Sequence, residues 1–324
     1  MIVGIPRSLY YYYYYPFWAA FFQELGWSCQ VSPPTSQSIL QKGLSLALDE
    51  ACLPVKMHFG HLAYLQDKVD VLFSPGFGRW GKGHFCPKLM GLPDLARMKF
   101  SRACEYWHDV DEAGCPGMDQ WVAGMRKIAP GLKKRQIKDA WMDALKEHRT
   151  FLELCKTGYK PPEAIDYLVQ RKAHVKLEKG MQLQIAVLGH PYLVYDELAN
   201  QQFLQALAKN GVKVLTEEMV PESAAEMLEG MQGKAVFWPM GQRILSAGLY
   251  YSSCKVDGIV FLSACLCGPD AIIGELLGRY LQRTPGSPPL LKITLDEHTG
   301  RAGLQTRIEA LLDLLDRSKK HAAL

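Results

Sequence analysis

Short apolar runs that end in proline, each followed by a helix-length segment closed by glycine, are what most restrict the fold of this chain. Ile2-Val3-Gly4-Ile5-Pro6 reads as a buried strand, a helix is expected from about Phe17 to Leu25, and Gly26 is placed to end it. Cys29-Gln30-Val31-Ser32 then reads as a second strand, leading into Pro33-Pro34. The same order returns in Ile185 to Pro191, an amphipathic helix from about Asp196 to Lys209, Gly211, and the strand Val212 to Leu215. Pro6 and Gly26 stand 20 residues apart, as do Pro191 and Gly211. With Pro75 and Pro239 as further strand-end prolines, this points to two related α/β halves. Each is expected to be a parallel sheet with helices on both faces, because the strands are continuously apolar rather than alternating.

At 324 residues the chain can hold two cores. The expected divisions are 1–116, a helical segment over 117–181, and 182–324. Pro130-Gly131 and Gly158 to Pro162 split the middle segment into helices near 117–128, 133–157 and 162–180. Lys133, Lys134, Arg135 and Lys138 form either a phosphate patch or, with Asp139, Asp143 and Glu147, a solvated helix face. A net charge of +4 gives no reason to invoke nucleic acid. Arg7 and Pro16 interrupt the aromatic N-terminus, and Tyr10 to Tyr15 do not suit a signal peptide, so no membrane segment is expected and the chain reads as cytoplasmic.

Nine cysteines at irregular spacing, with no Cys-x-x-Cys, read mostly as small buried apolar residues. Gly76-x-Gly78-x-x-Gly81 follows a strand expected over Asp70 to Ser74, but Gly83, His84, Cys86 and Pro87 intervene before a helix can begin. That context fails a dinucleotide fingerprint and reads as a flexible surface loop. Neither a phosphate-binding P-loop nor a Gly-x-Ser-x-Gly elbow is present. Three cysteines stand apart by setting. Cys52 sits where Pro54 is expected to terminate a helix-like run; Cys86 precedes Pro87, which opens a helix; Cys267 lies between the strand Gly258 to Ser263 and another helix. A helix N-terminus favours a thiolate and lowers its pKa, which suits metal ligation, although a lone cysteine beside proline is also a common structural residue. Cys265 is a candidate fourth ligand. His58 and His61 read as satisfied neutral histidines near Cys52, and His190 as a pocket residue at a strand end.

The segments Ile5-Pro6-Arg7-Ser8-Leu9-Tyr10, Asp49-Glu50-Ala51-Cys52-Leu53-Pro54-Val55-Lys56, Cys86-Pro87-Lys88 with Gly91-Leu92-Pro93-Asp94, Gly189-His190-Pro191-Tyr192 and Cys267-Gly268-Pro269-Asp270 resemble the acyl-CoA dehydratase activase-related proteins. These are relatives of the 2-hydroxyacyl-CoA dehydratase subunits and of the double-cubane cluster reductases. The resemblance implies two Rossmann-like halves with a [4Fe-4S] cluster in the cleft, held by Cys52, Cys86 and Cys267. It also implies an ATP-dependent activase that delivers low-potential electrons. Three thiolates would leave one iron open for a (de)hydratase or reductase reaction, and a fourth would favour electron transfer alone. Glu50, Lys56, His58 and His190 are the expected pocket groups. The glycine-rich loop and Cys265 depart from the family pattern. The middle helices are expected to cover the cleft or form a homodimer face. Competing readings are a scaffold without a cluster and a structural zinc protein.

Overall fold

Strand–helix alternation dominates the computed structural model, which describes residues 1–104, 109–111, 113–170, 183–228, 236–254 and 256–322. In chain order the strands are β1 (Ile2–Ile5), β2 (Ser28–Val31), β3 (Val71–Leu72), β4 (Arg79–Trp80), β5 (Gly83–His84), β6 (Leu183–Leu188), β7 (Val212–Leu215), β8 (Gly258–Ala264) and β9 (Leu290–Leu295). The helices are α1 (Tyr11–Glu24), α2 (Gln37–Leu44), α3 (Leu53–Leu65), α4 (Pro87–Met90), α5 (Leu92–Lys99), α6 (Met118–Ile128), α7 (Lys134–Lys156), α8 (Pro161–Gln170), α9 (Pro191–Val194), α10 (Phe203–Lys209), α11 (Pro239–Ser253), α12 (Gly268–Arg283) and α13 (Arg301–Ala322).

A three-stranded sheet runs β2-β1-β3 and a four-stranded sheet runs β7-β6-β8-β9, and every pairing within both is parallel. β4 and β5 form a separate antiparallel ribbon. The continuous apolar strands are explained by burial on both sides. Ile185 and Val187 join a core shared with the first sheet, while Ala186 and Leu188 face a second core closed by α11 and α12. Alternate residues of one strand therefore serve different cores, and neither face tolerates polar side chains.

Several elements depart from the expectations. α1 begins at Tyr11, six residues early, with Pro16 inside it. All six tyrosines are at most 8% exposed, so packing on every side of this helix outweighs the backbone hydrogen bond that Pro16 removes. Gly26 ends the helix as expected, at φ 73°, with the Trp27 amide donating to Phe22 O. The helix expected from Asp196 starts only at Phe203. Asp196 accepts from the Leu198 and Ala199 amides and Asn200 binds the Leu193 and Val194 carbonyls, which ties residues 196–202 into turns. Pro54 sits in the first turn of α3 and opens a helix rather than ending one. Pro239 likewise opens α11. The glycine-rich segment is no surface loop: residues 72–78 are buried, Gly76 packs on Pro93, and Gly83 on Pro239. Lys133, Lys134 and Arg135 lie on the exposed start of α7, with Arg135 3.6 Å from Asp139, as a solvated face requires. Residues 171–180 of the last expected middle helix lie outside the described residues. Among the described residues no helix is long and apolar enough to cross a membrane.

Candidate functional site

Cys52, Cys86 and Cys267 occupy one kind of position, the residue immediately before a helix whose first turn contains proline. Their backbones are extended, with φ/ψ of −69/155°, −67/152° and −97/101°. Proline fixes the helical φ in the first turn and restricts the residue before it to that extended geometry, so Pro87 constrains Cys86 directly. His190, before Pro191 and α9, repeats the arrangement at −64/142°.

One lysine ties the three cysteine segments together. Lys88 Nζ, two residues past Cys86, donates to Glu50 O at 2.6 Å and to Leu266 O at 3.2 Å, just upstream of Cys52 and Cys267. Leu266 is held in the left-handed region at φ 63°, a strained geometry for a non-glycine residue, and the lysine holds its carbonyl. The ammonium also favours the Cys52 and Cys86 thiolates. Replacing Lys88 with methionine is expected to cost about 1 kcal/mol, read from the urea midpoint, because two carbonyls lose a charged donor at a half-exposed position. An unchanged midpoint would show that the bridge carries no weight.

The thiols depart from the sequence expectation in their acidity. Burial raises all three: Cys52 is pushed up to about 11, and Cys86 and Cys267 are also raised. First-turn amides oppose the shift, from Val55 at Cys52, Leu89 and Lys88 at Cys86, and Asp270 at Cys267, although none closes to a capping hydrogen bond. Desolvation and the negative groups of the site therefore outweigh the helix dipole. The thiols influence one another: Cys86 perturbs Cys52, and both perturb Cys267. Asp270 perturbs all three.

Around the thiols lie His190, an expected pocket residue, and Asp270 and Tyr10, which had no expected role. Asp270 Oδ1 is 3.1 Å from His190 Nε2, and Oδ2 accepts from the Ala264 amide at 2.9 Å. His190 stacks on Tyr192 at 4.9 Å, and its buried Nδ1 has no hydrogen-bond partner among the described residues. Tyr10, fully buried, feels Cys86, Asp270 and Cys267, and among the described residues its hydroxyl has no hydrogen-bond partner either. The signal for Tyr10 was its place in a tyrosine run, which pattern reading assigns to the core.

The other expected pocket residues are placed differently. His58 is held through both ring nitrogens, by Ser8 Oγ and Ser74 Oγ at 2.8 Å each. His61 lies between Ser32 and Thr35, and Thr35 donates onward to Asp196. Lys56 Nζ is bound to Glu297 at 2.7 Å. Glu50 is exposed and contributes its carbonyl to Lys88. Cys265 is half-buried beyond the end of β8, its amide bonded to Leu295 O. The turn at Leu266 separates it from Cys267, so the alternation of a strand does not apply.

Among the described residues no group of three or more His, Cys, Asp or Glu side chains is arranged to hold a metal ion. A tetrahedral zinc–thiolate site needs sulfurs about 3.8 Å apart, given bonds of about 2.3 Å. A polynuclear cluster distributes its thiolates over several irons and calls for wider spacing. Soft sulfur donors from three segments and a Tyr10 hydroxyl without a partner among the described residues are chemistry that an iron–sulfur group can use.

Fold and site together define an α/β protein that brings cysteines from distant segments to helix N-termini. The chain belongs to the family described as "CoA enzyme activase uncharacterised domain" (DUF2229), matched over residues 2–220. The matched span includes Cys52, Cys86 and His190 and ends before Cys267, and it agrees with the resemblance drawn from the motifs. No curated protein matches the chain. A LacI family transcriptional regulator from Arthrobacter sp. FB24, solved with lactose, aligns over 98% of this chain and 91% of its own at 14% identity. Its TM-score of 0.22 carries no argument.

Proposed function

We propose that this chain is a cytoplasmic iron–sulfur protein that accepts low-potential electrons from an ATP-dependent activase. On this reading Cys52, Cys86 and Cys267 hold a [4Fe-4S] cluster between two Rossmann-like halves, 1–116 and 182–324, with 117–181 joining them or forming a homodimer face. The observation that carries it is the three helix-capping thiols, from segments up to 215 residues apart (52 to 267), gathered by the single ammonium of Lys88. When bound, such a cluster supplies one-electron chemistry and, with only three protein thiolates, an iron open to a substrate oxygen.

The chain's own groups fit roles around it. Ligation displaces the thiol protons, and the first-turn amides and Lys88 favour the thiolates that result. Tyr10 offers a hydroxyl donor from a dry wall, where an unmet hydroxyl costs about 1–3 kcal/mol. The Asp270 carboxylate fixes His190 Nε2–H, which leaves the buried Nδ1 lone pair without a donor among the described residues.

The test is iron and acid-labile sulfide in anaerobically purified protein, with Cys52→Ala, Cys86→Ala and Cys267→Ala against Cys155→Ala as the buried control. About four irons per chain are expected, lost in the three ligand variants and kept in the control. A colourless wild type without iron after reconstitution rejects the reading. One zinc per chain would reassign the thiols to a structural ion.

A further inference from the structure

Arg243, in the second turn of α11, is held on three sides and open on the fourth. Its Nε donates to buried Glu217 at 2.5 Å, and its guanidinium carbon lies 5.6 Å from the Tyr13 ring centroid and 5.2 Å from that of Trp80. Its terminal nitrogens have no acceptor among the described residues, and 34% of the side chain is exposed against 4% for Glu217. That exposure opens into a cavity of about 1050 Å³ between α11, the β4–β5 ribbon and the helical turns that follow Thr216. Lys82, on the turn of the ribbon, also lines the cavity and has no acidic partner among the described residues. The rest of the lining includes Leu152, Val220, Leu228, Pro239, Leu245 and Leu276, together with Glu218, which accepts from the Tyr195 hydroxyl, and the Lys156–Glu222 ion pair.

We propose that this cavity binds a carboxylate with an apolar body, such as a medium-chain carboxylic acid, its headgroup on the terminal N–H pair of Arg243 and its chain against the leucines. A plain structural ion pair accounts for Nε and Glu217. It does not account for a guanidinium fixed by two aromatic rings with its fork left open above apolar side chains. Planar, two-point recognition is what a carboxylate offers a guanidinium. The cost of holding Arg243 in place is met before any ligand arrives, which favours binding. Lys82 adds a second positive charge to the lining of the same cavity. The inference uses none of the three thiols, so it stands or falls apart from the cluster.

Calorimetric titration of the full chain with hexanoate, acetate, hexan-1-ol and inorganic phosphate tests it. Hexanoate is expected to bind on the order of a hundredfold more tightly than acetate, which lacks four methylenes, and at least about tenfold more tightly than hexan-1-ol, which lacks the charge. Arg243→Gln alone would strand the buried Glu217 carboxylate, so the variant to use is Arg243→Gln with Glu217→Gln, checked for folding by circular dichroism. It should lose hexanoate binding by at least about tenfold, and Lys82→Gln by a smaller factor. Hexan-1-ol or phosphate matching hexanoate on the wild type, no hexanoate binding at all, or unchanged binding by the folded double variant would each overturn the proposal. The wild-type discrimination decides the matter even if the double variant does not fold.

Discussion

Gly60→Ala is expected to lower stability by about 3 kcal/mol, at the upper end for forcing atoms into a packed core, and Gly43→Ala by a similar amount. α2 and α3 cross with their backbones in contact. A Cβ at Gly60 would lie 2.0 Å from Ile39 O, and one at Gly43 2.0 Å from Lys56 O. Each obstacle is a carbonyl inside the facing helix, so no side chain can rotate away and one helix must move. Because Cys52 caps α3, the displacement should also reach the three thiols, and on the proposed iron–sulfur reading both variants should hold less iron than wild type after the same reconstitution. Gly303→Ala in α13 is the matched control. Nothing lies within 4 Å of its added methyl, and removing backbone freedom there should stabilise by roughly 0.5–1 kcal/mol. Equal urea midpoints for Gly60→Ala and wild type would show that the two helices can separate freely.

Acid should begin to destabilise this protein near pH 6.5, above the range where ordinary surface carboxylates titrate. His58 and His61 are pushed down to about 3 and His148 to about 4, in each case chiefly by burial. An unfolded histidine takes up a proton near pH 6.5, so the unfolded chain binds more protons than the native one from there down to those values. Stability is therefore complete above about pH 6.5 and is lost as the pH falls. At pH 5 the three histidines together cost about 6 kcal/mol relative to pH 7.5. Two buried carboxyls act in the opposite sense. Asp196 is raised to about 6, chiefly by burial, and returns about 1.4 kcal/mol at pH 5. Glu218 is raised to about 7 by burial and by the Glu217 charge and returns about 2.4 kcal/mol. The histidines win, and a net loss of about 2 kcal/mol is expected at pH 5. His148→Phe isolates one contribution: the ring already stacks on Tyr14 at 5.2 Å and on Phe151 at 6.1 Å, so phenylalanine fits the slot. The variant should forfeit the hydrogen bond to Gly114 O but lose about 2 kcal/mol less between pH 7.5 and 5. A midpoint that holds or rises on acidification would refute the account.

The amino-acid sequence was enough for everything that local physics decides. Continuous apolar runs marked strands buried on both faces at β6 and β8, and the two larger sheets are parallel. Gly26 and Gly211 end their elements at positive φ, and the motifs led to the correct family. Proline beside each of three cysteines marked helix starts, though Pro54 was read in the wrong direction, because a proline in a first turn and one after a last turn look alike until the helix is seen.

What the sequence could not carry depends on neighbours far along the chain. Tyr11 to Tyr15 run straight into Pro16 and show no heptad pattern, yet they form helix, because packing on every side supplies what local propensity withholds. The acidity of the cysteines was misjudged for the same reason: the helix dipole is local and legible, but desolvation and the approach of Asp270 belong to the folded molecule. His58 and Lys56, reasonable pocket residues by position, are committed to Ser8, Ser74 and Glu297, partners up to 241 residues away. Arg243 carries no motif at all. Only tertiary packing sets its guanidinium between two aromatic rings and a buried glutamate with one side open, since such a site is a property of surfaces meeting and not of residues in a row.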